Sequence, residues 1–190
     1  MIIGVTGPIC SGTSLLMDLL AKAGFESFSY SDILRDELRK RNLQITRKAL
    51  QDIGDELRKK EGLGVLSRKI IDKMERGKNY VVGNIRNPGE VEEFKKRFGD
   101  DFVLVKVDAS FDVRFERARA RMRENEPLGL EEFREMEKRD LGIEQSESGQ
   151  QHQTVFGLAE QIVVNNGSIE ELRQKAEMLL NDISKKYGKL

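Results

Sequence analysis

The chain has 190 residues, of which 38% are hydrophobic and 35% are charged, a composition that suits one soluble α/β domain with one sizeable core. Lysine plus arginine equals aspartate plus glutamate at 33 each, and a formal net charge of zero disfavours general nucleic-acid binding. No apolar run approaches the length that spans a bilayer. The one cysteine, Cys10, excludes an intrachain disulfide, and a single histidine, His152, excludes a His/Cys metal cluster. We therefore expect a cytoplasmic protein without a membrane segment.

Short apolar runs alternate with longer amphipathic segments along the chain. Strands are predicted at residues 2–6, 27–30, 80–83, 102–107 and 162–164. Helices are predicted at residues 14–23, 32–41, 47–60, 65–76, 89–98, 110–123 and 130–141, with a last one after Ser168. The polar stretch 142–153 lacks periodicity and predicts a mobile loop.

This alternation predicts a three-layer α/β fold, in which a five-stranded parallel sheet is flanked by helices. Ligands of such sheets bind at the carboxyl ends of the strands. The residues that follow each strand are therefore the candidates for a site.

A glycine-rich loop follows the first strand. Residues 7–14 are GPICSGTS, in which Gly7, Gly12 and Ser14 fit the pattern G-x-x-x-x-G-K-[ST] while Thr13 takes the lysine position. Backbone N–H groups of such a loop favour a phosphate, and Ser14 can place its hydroxyl on Mg²⁺. The alternative is an ordinary glycine turn, with Cys10 as a small buried filler.

Residues suited to anions also follow the next two strands. Asp32 and Arg35 lie three apart at a helix start and so share a face, and Arg86 follows the third strand. Each has a plainer alternative, because a helix-start acid, a solvated arginine or a surface turn would produce the same residues.

An arginine-rich helix follows the fourth strand, and Asn165 and Asn166 follow the fifth. The helix contains Arg114, Arg117, Arg119, Arg121 and Arg123. Arg117 and Arg121 are spaced i,i+4, so one stripe of this helix can face a triphosphate. A solvated face and a plain turn are the alternatives, but together the clusters at successive strand ends indicate a polyanion site.

These motifs, taken in order, resemble the P-loop nucleoside monophosphate kinase superfamily, which includes adenylate kinases and dephospho-CoA kinases. The likeness runs over nearly the whole chain: the P-loop, S-D-I-L-R at 31–35, I-R-N-P-G-E at 85–90, D-A-S with the R-x-x-x-R helix, and V-V-N-N-G-S at 163–168. The resemblance implies one P-loop kinase-like domain over residues 1–190, with acceptor-binding helices at about 31–77 and a small helical lid at about 114–153.

The resemblance also implies roles. The protein would transfer the γ-phosphate of ATP, with Mg²⁺, to a nucleoside monophosphate or a related small-molecule nucleotide. The residues implied to bind ATP are Gly7, Cys10, Ser11, Gly12, Thr13, Ser14 and Asn166. The residues implied to be catalytic are Asp32, Arg86, Arg117 and Arg121. Asp32, Arg35 and Arg86 would bind the acceptor, and Ser14 and Asp32 would hold the metal. The oligomeric state is left open.

Two departures from that family concern charge. Thr13 replaces the P-loop lysine, and Gly83 stands where these kinases often carry an acid. A nucleotide-binding regulatory module with weak or lost catalysis is therefore the second interpretation, alongside dephospho-CoA kinase activity. An NTP hydrolase within a larger assembly is the third.

Overall fold

The computed structural model describes residues 1–121, 129–143 and 149–188, without the side chains of Arg47 and Arg121, and five strands and nine α-helices lie in that part of the chain. The strands are β1 (Ile2–Thr6), β2 (Glu26–Ser29), β3 (Tyr80–Gly83), β4 (Phe102–Asp108) and β5 (Gln161–Val164). The helices are α1 (Thr13–Lys22), α2 (Tyr30–Lys40), α3 (Arg47–Glu61), α4 (Val65–Ile71), α5 (Pro88–Phe98), α6 (Phe111–Arg121), α7 (Leu130–Leu141), α8 (His152–Gly157) and α9 (Ile169–Tyr187).

The five strands form one parallel sheet in the order β2-β3-β1-β4-β5. β1 is central, and its Gly4 lies opposite Val82 of β3 and Leu104 of β4. The loop after β1 therefore opens at the middle of the sheet's carboxyl edge, with the ends of β3 and β2 on one side of it. The predicted fold class is confirmed.

The central strands are apolar on both faces because helices cover both faces. Ile3 and Val5 of β1 pack in a cluster with α1 and α9, whereas Ile2 packs on the other face with α2, α3, α4, α5 and α8. Complete burial of such a side chain stabilises the fold by about 1.5–3 kcal/mol. No described helix is both long enough and apolar enough to cross a membrane.

Local caps determine where several helices begin. Ser168 accepts from the Glu171 N–H in a capping box at the start of α9, and Asn87 followed by a proline starts α5 in the same way. These signals are visible in the sequence, and the predicted starts of both helices lie within one residue of the observed ones.

The predicted helix at 65–76 is too long, because α4 ends at Ile71. The N–H groups of Lys73 and Met74 close a tighter turn onto the carbonyls three residues back. The N–H of Glu75 then donates to the Tyr80 hydroxyl, so the chain leaves the helix.

The expectation of a mobile loop over 142–153 is wrong for its last residues, while residues 144–148 lie outside the described part. Asn87 donates to the Gly149 carbonyl, and the Gln151 N–H donates to the Arg86 carbonyl at 2.7 Å. α8 begins directly afterwards at His152, which is buried. Tertiary hydrogen bonds, which local periodicity does not report, order this segment.

Candidate active site

A cleft of about 630 Å³ opens at the carboxyl ends of β1, β2 and β3. The glycine-rich loop forms one wall, and the opposite wall comes from α2, α3, α7 and the segment before α8. The cleft has the volume of a site for a small molecule. It lies where a parallel sheet of this order binds its ligands.

The glycine-rich loop packs closely against the residues that end β4 and follow β5. A Cβ at Gly7 would overlap the Val107 carbonyl, and a Cβ at Gly12 would overlap the Asn165 amide. Gly12 has φ +107° and Cys10 has φ +61°, so the loop turns through left-handed backbone at both residues. Left-handed backbone at alternate residues is the pattern from which anion nests are built, and within this loop the Ser11 N–H donates to the Pro8 carbonyl at 3.1 Å. The N-terminus of α1 adds its dipole.

Side chains from outside the loop hold its backbone in place. Asn165, at the end of β5, donates to the Ser11 carbonyl at 2.7 Å. Arg117 donates to the same carbonyl at 3.3 Å and to the Gly167 carbonyl at 3.3 Å. Arg114, which pairs with Glu137 of α7, extends toward the Ile9 carbonyl. α6 therefore connects the loop to the turn after β5.

Asp32 and Arg35 face the cleft from the first turn of α2. Their side chains pair at 2.8 Å, and the Asp32 carboxylate remains 69% exposed. Ser29 caps this helix by accepting from the Ser31 N–H, and it also accepts from the Asn84 amide at 3.1 Å. The ends of β2 and β3 are thereby tied together, which positions the acid opposite the loop.

Arg86 lies at the end of β3, against a buried carboxylate of α7. Its guanidinium is 3.8 Å from Asp140. With its amide oriented to satisfy both neighbours, Gln150 donates to Asp140 at 2.9 Å and accepts from Arg86 at 2.7 Å. The three side chains form a single polar group on the cleft wall.

Arg58 of α3 reaches the cleft from beneath, through a buried ion pair. Its guanidinium contacts Glu90 at 2.9 Å, and Glu90 also accepts from the Arg86 and Asn87 N–H groups at the start of α5. Asp55 lies 3.3 Å from the same guanidinium. The Glu90 carboxylate therefore both neutralises Arg58 and caps backbone N–H groups at the start of α5.

His152 begins α8 and lines the same cleft. It is 3% exposed and stacks on Phe156 with ring centroids 5.4 Å apart. Burial, reinforced by the charges of Arg86 and Arg58, lowers the pKa of His152 well below 6.5. The ring is therefore neutral at pH 7.

The structure brings together most of the residues that the sequence nominated. Those that line the cleft are Gly7, Cys10, Thr13, Ser14, Asp32, Arg35 and Arg86. Ser11 and Gly12 belong to the same loop, and the Ser11 hydroxyl is buried without a partner in the described part.

Two other nominated residues lie elsewhere, and a third is described only by its backbone. Arg117 rests on the back of the loop. Asn166 is exposed and accepts from the Ser110 N–H at 2.7 Å. Arg121 ends α6, and its side chain lies outside the described residues.

Sequence reasoning missed Arg58, Asp140, Gln150 and His152, all of which line the cleft. Their partners are far away in the chain, so local patterns do not reveal them. One signal was available for the histidine, since an aromatic residue four positions later is typical of one helical face.

The oxygen donors of the cleft fit a magnesium ion. Mg²⁺ is commonly held by one or two protein oxygens together with the phosphates of its nucleotide, and Ser14 and Asp32 both line the cleft. No cluster of three or more His, Cys, Asp or Glu residues suited to a metal occurs among the described residues. The described residues therefore do not form a metal site whose ligands all come from the protein.

A family model described as an AAA domain matches residues 3–142, which is more than half of the chain. The chain belongs to the AAA domain family. Its glycine-rich loop and parallel sheet have the P-loop kinase-like fold.

Relatives of this AAA-family chain are known from archaea. It is 32% identical over 188 residues to the "UPF0200/UPF0201 protein" of Archaeoglobus fulgidus, covering 97% of this chain and 56% of that protein. It is 32% identical over 193 residues to a "UPF0200 protein" of Thermococcus kodakarensis, covering 98% of this chain and all of the relative. The chain thus spans about half of the first relative and the full length of the second.

Solved structures share the fold. A dephospho-CoA kinase from Campylobacter jejuni superposes with a TM-score of 0.53 at 17% identity, covering 97% of both chains. A shikimate kinase from Aquifex aeolicus superposes with a TM-score of 0.54 at 17% identity, covering 96% of this chain and 97% of its own. Likeness at this level of identity establishes the architecture alone.

Proposed function

We propose that this protein is a cytoplasmic, ATP-dependent phosphotransferase whose acceptor is a nucleoside monophosphate or a related small molecule. The observation that carries the proposal is one cleft in which the glycine-rich loop faces Asp32, Arg35 and Arg86. Donor and acceptor sites must face one another because phosphoryl transfer depends on in-line positioning and charge stabilisation.

Each wall of the cleft has its own task in this proposal. The loop from Gly7 to Ser14 seats the donor phosphates, and Asn166 borders the adenine. Ser14 and Asp32 hold Mg²⁺, which supplies charge neutralisation at the phosphates. Arg35 and Arg86 hold the acceptor.

Transfer itself requires one bond to form and one to break. An acceptor oxygen attacks the γ-phosphorus, the bond from that phosphorus to the bridging oxygen breaks, and ADP leaves with the electron pair. Asp32 orients the attacking oxygen. Arg117 holds the Ser11 carbonyl of the loop in place, and the role of Arg121 in a lid over about 114–153 is the one that the family resemblance implies.

The test is transfer from γ-labelled ATP to a panel of nucleoside monophosphates and dephospho-CoA. Asp32→Asn is expected to lower the rate by a factor on the order of 10². Asp36→Asn is a matched control, because Asp36 pairs with Arg39 at 2.8 Å on the same helix and does not line the cleft. Equal effects of the two variants, or no transfer to any member of the panel, would contradict the proposal.

A second candidate is a nucleotide-binding regulatory module with weak or lost turnover. Two observations favour it: Thr13 occupies the lysine position, and the side chain of Met17 fills the space beside Gly83 where an acid would project. An unaltered protein that binds ATP tightly and transfers nothing would support this candidate over the first.

A further inference from the structure

His152 carries a buried atom that nothing in the described part of the chain satisfies. Its Nδ1 has no hydrogen-bond partner there, although the residue lines the cleft. Native proteins pair nearly all of their buried polar atoms. An exception at the wall of a binding cleft points to a ligand that provides the missing partner.

The charges around this histidine are balanced within the protein. Arg58 pairs with Glu90, and Arg86 lies beside Asp140, and both carboxylates are buried. Of the described cations at this end of the cleft, neither Arg58 nor Arg86 can bind an anionic ligand group without competition from its own carboxylate. An uncharged ligand group keeps these pairs intact, whereas an anion would compete with them.

The groups near His152 can still form hydrogen bonds. The Gln150 amide is fixed between Arg86 and Asp140, and the stack on Phe156 fixes the imidazole. Because the pKa of His152 is lowered by burial and by the two arginines, the ring is neutral and presents one donor and one acceptor. The inner end of the cleft therefore combines hydrogen-bonding capacity with charge balance.

We propose that His152 is a specificity-determining residue, which hydrogen-bonds an uncharged polar group of the acceptor, either a nucleobase edge or a sugar hydroxyl. This inference rests on the proposed function, since it assigns the acceptor end of the same cleft. Arg35, whose partner Asp32 is solvent-exposed, remains available at the rim for the acceptor's phosphate.

Isothermal titration calorimetry, which measures the affinity for each probe in the presence of the non-hydrolysable analogue AMP-PNP, tests the proposal. The probes are AMP, GMP, CMP and UMP, with ribose 5-phosphate and inorganic phosphate as partial ligands. His152→Phe keeps an aromatic ring without its nitrogens, and His152→Asn keeps a hydrogen-bonding group. Gln153→Ala is the control, because Gln153 is exposed on the same helix.

His152→Phe is expected to weaken binding of the preferred monophosphate about tenfold, His152→Asn to restore most of it, and inorganic phosphate to bind all variants alike. Loss confined to the monophosphates identifies the base as the group that is recognised, and equal loss for ribose 5-phosphate identifies the sugar.

Unchanged monophosphate binding by His152→Phe would overturn the inference, and so would an equal loss for inorganic phosphate, which indicates a structural role. If the unaltered protein binds AMP-PNP but binds no member of the panel, the inference is also overturned. The donor half of the proposed function then still stands. Failure to bind AMP-PNP contradicts the proposed function itself.

Discussion

Thr13 stands where a lysine completes the P-loop pattern, and Gly7, Gly12 and Ser14 fit the rest of that pattern. Thr13→Lys restores a cation that reaches the terminal phosphates of ATP. We expect the transfer rate to rise at least tenfold, toward the factor on the order of 10² that a preorganised donor contributes. Steady-state kinetics with γ-labelled ATP measures the transfer rate of the variant and of the unaltered protein.

Thr13→Ala is the matched control and should change the rate little, since it adds no charge. A lysine variant no faster than the alanine variant would show that another cation already fulfils this role, or that transfer is not what the cleft does.

His152 also makes stability depend on pH. Its pKa is well below 6.5 in the folded protein and about 6.5 in the unfolded chain. Below pH 6.5 His152 therefore binds a proton in the unfolded chain but not in the folded protein. The free energy of unfolding consequently falls as the pH falls. The loss attributable to this group is at most about 1.4 kcal/mol between pH 7.5 and 5.5.

Urea unfolding at the two pH values measures the effect, with His152→Phe for comparison. The variant lacks the titrating group, so its free energy of unfolding should depend less on pH by that amount. The same pH dependence in both proteins would mean that His152 binds its proton equally in the folded and unfolded states.

At the scale of elements, Glu90 joins α3 to the start of α5. Glu90→Gln removes the charge that faces the buried Arg58, although Asp55 remains within 3.3 Å of that guanidinium. We expect a loss of about 3 kcal/mol, at the low end for breaking a buried pair. Chemical unfolding should show this loss for Glu90→Gln and almost none for Glu92→Gln, whose side chain is exposed on the same helix. Similar losses in both would contradict the assignment.

The contact between α1 and β3 explains why no acid follows the third strand. A Cβ at Gly83 would overlap the Met17 side chain, so Gly83→Asp should destabilise the fold by about 1–3 kcal/mol through overpacking. Met17→Ala alone should cost about 2–5 kcal/mol by leaving a cavity. The double variant should lose less than the sum of the two, by about 0.5–3 kcal/mol. Strict additivity in unfolding experiments would show that the two positions do not compete for space.

The elements were largely predictable because their signals are local. β1 and β4 are mostly apolar, and Asn87 and Ser168 cap their helices with residues only three positions away. α8 was not predictable in this way, because hydrogen bonds from Asn87 and to Arg86 order the segment before it.

The residues of the candidate site divide in the same way, into those with a local sequence signal and those placed by tertiary packing. Residues that directly follow a strand, such as Asp32 and Arg86, were identified because a parallel sheet brings the ends of its strands to one edge. Asp140 and His152 were missed because they reach that edge from helices whose placement depends on tertiary packing. The roles of the nominated residues stay predictions.

At the scale of the whole molecule, charge is balanced both overall and within most of the cleft. The net charge is zero, and of the arginines that line the wall opposite the glycine-rich loop, Arg58 and Arg86 face buried carboxylates while Arg35 faces the solvent-exposed Asp32. Composition alone therefore disfavours a long polyanion such as nucleic acid, and geometry still provides a place for one small anion.

The most direct test is the thermal stability of the unaltered protein with AMP-PNP and Mg²⁺, compared with adenosine. At a concentration 100 times the Kd, AMP-PNP should stabilise the fold by about 2.7 kcal/mol, which raises the Tm by about 5–10 °C. Adenosine, which has no phosphate to seat in the loop between Gly7 and Ser14, should raise it far less. No shift with millimolar AMP-PNP, or an equal shift with adenosine, would contradict a phosphate-binding loop.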